Sequence, residues 1–120
     1  GTVIEQFERY APEVLESFKA LNETGCVEFL GETYGHSLAS VYDPEEFTRQ
    51  VKAHSLLIRK IFGIQPKVFR NTELIANNEL AARVHALGFK GILAEGVPEL
   101  LKGRSPNSLY APPNETRISW

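Results

Sequence analysis

The sequence predicts an α/β fold in which parallel β-strands alternate with α-helices. Helical apolar patterns and short apolar strands alternate three times along the 120 residues. Connections of this length favour right-handed crossovers between parallel strands. Three such strands form a sheet too narrow to cover its own edges. We therefore expect residues 1–120 to form a single fragment of a larger parallel sheet or closed barrel, and the absence of methionine agrees with an excerpt from a longer chain.

The N-terminal part predicts two helices followed by a strand. Apolar side chains recur every three or four residues over residues 3–21, which is the spacing of a helical stripe. Pro12 divides the stripe, because proline fits the first turn of a new helix. Gly25 ends the second helix as a left-handed cap. The apolar residues 26–30 then predict a first strand that stops at Gly31.

The central part predicts two further helix–strand pairs. Asp43 followed by a proline and two glutamates is a strong helix start, and this helix runs to Phe62. The second strand covers residues 67–71, and Asn77 or Asn78 caps the third helix. The remaining expectations are a third strand at 91–94, a short helical turn at 98–102 and an irregular segment at 104–120 with pairing between residues 109–110 and 118.

Composition narrows the possible functions. The net charge is −2, from 13 Lys+Arg against 15 Asp+Glu, and no basic run is present, so we expect no nucleic-acid partner. No apolar run is long enough to cross a membrane, and no signal-peptide pattern opens the sequence. A single cysteine, Cys26, excludes an internal disulfide and fits a reducing compartment, so we expect a cytoplasmic location. No phosphate-binding glycine motif occurs, and we expect no cofactor.

Each predicted strand leads into a glutamate, namely Glu32, Glu73 and Glu95. The C-terminal ends of parallel strands share one edge of a sheet, where functional groups collect. We therefore expect the three carboxylates to lie at one rim, with His36, Arg70 and Asn71 close to them. The alternative for each glutamate is a helix-capping or solvent-facing role, and this pattern alone leaves that choice open.

Other chemically active residues have simpler interpretations. His54 falls on the apolar stripe of its helix and is interpreted as a packed structural residue, whereas His85 is interpreted as a solvated helix residue. Cys26 is expected to pack as a small hydrophobic residue. The histidines are too far apart in sequence to form a helical zinc pair, and no metal site is predicted. We expect four phenylalanines to pack in the core: Phe7, Phe18, Phe47 and Phe62.

Two stretches carry a family resemblance: residues 31–38, GETYGHSL, and residues 68–75, VFRNTELI. With them the chain resembles glycoside hydrolase family 57, and most of all its α-amylase-like members. The segments 10–14 and 88–93 agree, so the resemblance covers nearly the whole chain. It implies that the fold is a segment of a (β/α)7 barrel and that the substrate is an α-glucan or malto-oligosaccharide.

The resemblance also implies roles for particular residues. Glu73 matches the catalytic nucleophile of a retaining mechanism, and Arg70, in the same motif, orients it. Glu32 and His36 match a segment that lines the substrate, and we add the third rim glutamate, Glu95, to the substrate-binding residues. Gly35 departs from the family pattern, in which a tyrosine commonly occupies this position.

Two family elements are missing from the 120 residues. The family's His-Gln-Pro motif does not occur, and the acid/base aspartate of the family lies on a later strand. Asp43 is the only aspartate, and its sequence context is that of a helix cap. We therefore expect half of an active site, in a fragment that is inactive alone and that self-associates through its uncovered apolar edges.

The leading interpretation is part of an α-amylase or 4-α-glucanotransferase that acts by double displacement. One alternative is a metal-dependent carbohydrate deacetylase on a related barrel, which needs an aspartate and two histidines as ligands. The other is a non-catalytic α/β interaction module with solvated rim glutamates. The linkage cleaved and the choice between hydrolysis and transfer stay open.

Overall fold

The structure, a computed structural model, describes residues 1–111 and alternates helices with short parallel strands. Its elements are α1 (Thr2–Tyr10), α2 (Pro12–Glu23), α3 (Ala39–Tyr42), α4 (Pro44–Phe62), β1 (Val68–Arg70), α5 (Asn78–Ala86), β2 (Gly91–Leu93) and α6 (Pro98–Leu101), with a 3₁₀ turn at Thr72–Leu74. This order confirms the predicted α/β class. The expected pairing with residue 118 lies outside the described residues.

The helix ends follow the sequence signals. Pro12 occupies the first turn of α2, and the Asp43 side chain caps α4 by accepting hydrogen bonds from the backbone N–H groups of Glu45 and Glu46, both at 3.0 Å. Gly63 ends α4 in the left-handed conformation, with φ of 72°. Of the two candidate caps of α5, Asn77 is the one that accepts from a helical N–H group. Local capping chemistry was therefore enough to place these ends.

The two strands pair in parallel, with Val68, Phe69 and Arg70 opposite Gly91, Ile92 and Leu93. The predicted strand at residues 26–30 is wrong, because within residues 1–111 the segment forms only one parallel bridge, between Gly31 and Phe69. Its two hydrogen bonds run from Gly31 N–H to the Val68 carbonyl and from Arg70 N–H to the Gly31 carbonyl, each 2.8 Å. Extending this register backwards places residue 28 opposite Pro66, which has no N–H to donate.

The core lies between α4, α5 and the strands. Phe69 is fully buried at its centre, and its ring contacts Phe47 and Phe89 edge-on at centroid distances of 5.7 and 5.3 Å. In a second cluster, Leu15 of α2 packs with Ile58 and Phe62 of α4, and Ile4 and Phe7 of α1 are partly buried against them. Of the four predicted core phenylalanines, Phe47 and Phe62 are buried, Phe7 is half-buried against this second cluster, and Phe18 is 37% exposed at its edge.

The environments of Cys26 and His85 differ from those predicted, and several apolar side chains are exposed. Cys26 is exposed rather than packed, because the strand that was expected to bury it does not form. His85 is half-buried rather than solvated. Several large apolar side chains are exposed, among them Tyr42 at 81% and Leu109 at 83%. Self-association through such surfaces stays a prediction.

Within residues 1–111, no helix combines the length and apolar character that crossing a bilayer requires. The cytoplasmic location stays a prediction.

His54 is buried on α4, as predicted for a structural residue. Its side chain is 4% exposed, and its Nδ1 atom has no hydrogen-bond partner among the described residues. Burial disfavours the charged imidazolium, which lowers the pKa of His54 from 6.5 to about 4. The folded chain therefore holds this histidine neutral at pH values where the unfolded chain protonates it.

This difference makes stability depend on pH. Between pH 6.5 and 4 the unfolded state binds a proton that the folded state does not, so the free energy of unfolding falls as the pH falls. We expect a loss that approaches about 3 kcal/mol near the lower limit. Urea unfolding of the chain at a series of pH values measures it.

The control is His54→Gln, which removes the titrating group while keeping a polar side chain. As the pH falls from 6.5 to 4, the free energy of unfolding should fall more in wild type than in this variant, because the other groups titrate equally in both. Equal slopes for wild type and His54→Gln would contradict the assignment to His54.

Candidate functional site at the C-terminal ends of the strands

The predicted rim residues follow the C-terminal ends of adjacent parallel segments. Glu32 comes directly after the bridging residue Gly31, Glu73 lies three positions after β1, and Glu95 lies two positions after β2. Because Phe69 pairs with Gly31 on one side and with Ile92 on the other, all three segments run in the same direction. The topology therefore places the three glutamates at one edge, as the sequence predicts.

Gly31 allows the first of these segments to approach the core closely. A Cβ atom at this position would lie 2.3 and 2.5 Å from two ring carbons of Phe89, whose side chain is only 2% exposed. Such distances are far below van der Waals contact, so only glycine fits beside that ring. The close approach sets where the chain leaves the sheet and thus where Glu32 lies.

Four of the five predicted site residues form one connected charge cluster. The Arg70 Nη2 atom donates to Glu32 Oε2 at 3.2 Å. His36 lies between the two carboxylates, with Nδ1 at 3.8 Å from Glu32 Oε2 and Nε2 at 3.8 Å from Glu73 Oε1. Glu95 is exposed and has no ion pair with this cluster in the part of the chain that the structure describes. The arrangement joins two carboxylates through one imidazole.

The two residues in contact at the open side of the cluster have unusual backbone conformations. His36 has φ of 52° and Glu73 has φ of 54°, and Leu74, the residue after Glu73, also has φ of 54°. Residues other than glycine seldom adopt this left-handed region, and each costs about 1–3 kcal/mol where it is held. Such strain concentrates at binding and catalytic sites, where the surrounding structure fixes it.

Buried polar side chains hold the two strained turns together. The hydroxyls of Thr33 and Thr72 lie 3.3 Å apart, and both residues are buried. The Asn71 amide nitrogen donates to Ser40 Oγ at 2.9 Å and to the Ile75 carbonyl at 3.1 Å. Within residues 1–111 the Asn71 Oδ1 atom, although buried, has no partner.

Sequence reasoning placed Asn71 near the rim but missed Thr33, Thr72 and Ser40. The signal was present for the threonines, since each directly adjoins a predicted site glutamate within the two resemblance stretches. Ser40 lies in the short helix α3, which is too brief to show a helical period. Its hydrogen bond with Asn71 depends on the tertiary fold and has no signal in the sequence.

The Glu32–Arg70 pair also forms the polar wall of a cavity of about 310 Å³. The rest of its lining is mostly apolar and includes Phe29 and Phe62, and His54 contributes from α4. Across the described residues 1–111 no set of three or more His, Cys, Asp or Glu side chains is arranged to hold a metal ion.

A sequence model described as glycosyl hydrolase family 57 matches residues 1–119. The chain belongs to this family. The resemblance at residues 31–38 and 68–75 is therefore confirmed.

A relative and a solved structure agree with this assignment. The chain is 45% identical over 119 residues to a Methanocaldococcus jannaschii protein named "Putative alpha-amylase", a match that covers 98% of this chain and 26% of the relative. The crystal structure of a 4-alpha-glucanotransferase from Thermococcus litoralis matches with a TM-score of 0.70 at 21% identity, over 77% of this chain and 14% of that one. The second match shows a shared fold and supports the barrel-segment expectation. The chain spans well under two thirds of either protein.

The close fit at Gly31 generates a stability prediction. We expect Gly31→Ala to lower the free energy of unfolding by about 1–3 kcal/mol, because its Cβ overlaps a buried ring that cannot move freely. The cost should shrink in a Phe89→Leu background, which frees space at that point. Urea unfolding of wild type, of each single variant and of the double variant measures this coupling.

Gly35→Ala is the matched control, since its Cβ would meet only the Gln50 Oε1 atom at 3.7 Å, an ordinary contact. This variant should lie within about 0.5 kcal/mol of wild type. A Gly31→Ala cost that is unchanged by Phe89→Leu would show that ring overlap is not its cause.

Proposed function

We propose that the full-length protein containing this segment is a retaining, α-glucan-active glycoside hydrolase or 4-α-glucanotransferase, with Glu73 as its nucleophile. The supporting observation is the His36 imidazole, which contacts both Glu73 and Glu32 at the C-terminal edge of the strands in a chain of glycosyl hydrolase family 57. The names of the relative and of the solved structure, an α-amylase and a 4-α-glucanotransferase, are the two activities proposed.

The proposed reaction is a double displacement. The Glu73 carboxylate attacks the anomeric carbon while a second carboxylic acid protonates the departing glycosidic oxygen, which gives a glycosyl ester on Glu73. Water or the hydroxyl of another sugar then attacks the ester, and the second group takes up the proton. The Glu73 side chain is 74% exposed, so it is open to a polymeric substrate.

The neighbouring charges support this assignment. The Arg70 guanidinium compensates the Glu32 carboxylate, so Glu32 can lie near Glu73 with less mutual repulsion. The His36 imidazole lies 3.8 Å from both carboxylates, so in its protonated form it attracts both and restrains the otherwise exposed Glu73 side chain. In this proposal Arg70 and His36 orient the nucleophile, while Glu32, His36 and Glu95 present polar groups to sugar hydroxyls.

The second carboxyl group of the reaction is proposed to come from elsewhere in the full-length protein. The only aspartate of the sequence, Asp43, is engaged at the N-terminus of α4 by two backbone N–H groups. Retention requires two carboxyl groups about 5 Å apart on either side of the scissile bond. We therefore expect the 120-residue chain alone to be inactive.

Substitution of the nucleophile tests the proposal. In the full-length protein, Glu73→Gln should lower turnover of a malto-oligosaccharide at least a hundredfold, because an amide cannot form the glycosyl ester. Labelling with a slow fluoroglycoside followed by peptide mass spectrometry should place the covalent sugar on Glu73.

Exposed Glu13→Gln on α2 is the matched control and should leave turnover unchanged. Turnover by Glu73→Gln within a few-fold of wild type would remove Glu73 from the nucleophile role. Activity of the 120-residue chain near that of the full-length protein would show that the second acid lies inside it.

A further inference from the structure

Gln50, on α4, forms hydrogen bonds with the loop that carries His36. Its Oε1 atom accepts one hydrogen bond from the Gly35 backbone N–H and one from the Ser37 hydroxyl, both at 3.1 Å. Gly35 and Ser37 are the residues on either side of His36. A single side-chain oxygen therefore holds the chain immediately before and immediately after the imidazole.

The orientation of the Gln50 amide is fixed by Glu46, one helical turn earlier. Gln50 Nε2 donates to Glu46 Oε1 at 2.8 Å, so the amide oxygen faces the loop. The flipped amide would place its NH₂ group against two donors and its oxygen against a carboxylate. Arg49 donates to both Glu46 oxygens, and hydrogen bonds from Arg49 and Gln50 lower the pKa of Glu46 to about 2. Glu46 thus remains an acceptor at all ordinary pH values.

The loop is held from its inner side as well. The Thr33 hydroxyl oxygen accepts from the Ser37 backbone N–H at 2.9 Å, and the His36 N–H donates to the Thr33 carbonyl at 3.2 Å. His36 has its left-handed backbone conformation inside this turn. The contacts within residues 33–37 close the turn, and the Gln50 contacts join it to the long helix α4, which packs in the core through Phe47 and Val51.

We propose that Gln50 is a positioning residue that holds His36 in place and thereby sets the His36 contacts with Glu32 and Glu73. This inference rests on the proposed function of the same cluster. Both His36 contacts are 3.8 Å long and half-exposed, so small movements of the turn change them. A helix is a more rigid support than a loop, and loss of alignment of about 1 Å at a reacting group costs up to about a hundredfold in rate.

The first test is Gln50→Ala in the full-length protein, assayed on a malto-oligosaccharide. We expect kcat to fall about tenfold with KM within about twofold, because alignment of the nucleophile changes more than substrate binding. Exposed Gln65→Ala, the matched control, should leave both constants unchanged. Ser37→Ala, which removes one of the two hydrogen bonds, is the milder second variant and should lower kcat about threefold.

A double-mutant cycle separates positioning from general destabilisation. In a His36→Ala background, Gln50→Ala should cause no further loss of kcat, because it has no imidazole left to align. The double variant Glu46→Gln/Gln50→Glu keeps a side-chain oxygen at residue 50 that can accept from Gly35 and Ser37, and it does not place two carboxylates together. It should keep kcat within about threefold of wild type. Equal losses from Gln50→Ala with and without His36, or no loss in either, would overturn the inference.

A measurement that does not depend on activity separates this inference from the proposed function. Amide hydrogen exchange at Gly35 should accelerate at least tenfold in Gln50→Ala, since its acceptor is lost. Unchanged exchange would overturn the inference even if Glu73 proves to be the nucleophile. If Glu73→Gln keeps its turnover, the proposed function fails, and accelerated exchange at Gly35 would still support Gln50 as the residue that orders the His36 turn.

Discussion

The position of Phe69 is the constraint on which the rest of the structure depends. Its backbone pairs in parallel with Gly31 on one side and with Ile92 on the other, while its ring fills the space between Phe47 and Phe89. One residue therefore fixes the direction of three chain segments and packs them against Phe47 of α4 and against Phe89, which lies between α5 and β2. Because parallel segments end at a common edge, the packing of this apolar ring determines where the charged residues beyond it are placed.

The charged cluster illustrates how a site can be built from local contacts of modest strength. Each ion pair is partly exposed, and such pairs contribute little to stability alone. The buried hydroxyls of Thr33 and Thr72 join the two turns and so restrain the backbone that carries the charged side chains. A buried polar pair is costly unless it is satisfied, so it restricts the turns to arrangements in which both partners meet.

The sequence predicted the features that short-range chemistry controls. Asp43 and Gly63 placed both ends of α4, and the glutamates after β1 and after Gly31 indicated the edge where Glu32 and Glu73 lie. It failed where the outcome depends on distant residues. The segment before Gly31 has the apolar pattern of a strand, yet in the described part of the chain it pairs through one bridge, between Gly31 and Phe69. Helix α3 is too short to show a helical period, and its contact with Asn71 depends on the tertiary fold. Glu95 follows the same strand-end pattern as the others, but it forms no ion pair with the cluster among the residues that the structure describes.

Two sets of residues on helix α4 have different partners, and this restricts where insertions or deletions are compatible with the fold. Phe47, Val51 and His54 face the interior, whereas Glu46 and Gln50 form the hydrogen bonds that lead to the His36 turn. Since each residue advances the helix by about 100°, an insertion or deletion between these positions would turn one set away from its partners. Changes of length are compatible with both sets of contacts only beyond the ends of this stretch, so the spacing from residue 46 to residue 54 is expected to be invariant even where individual side chains vary.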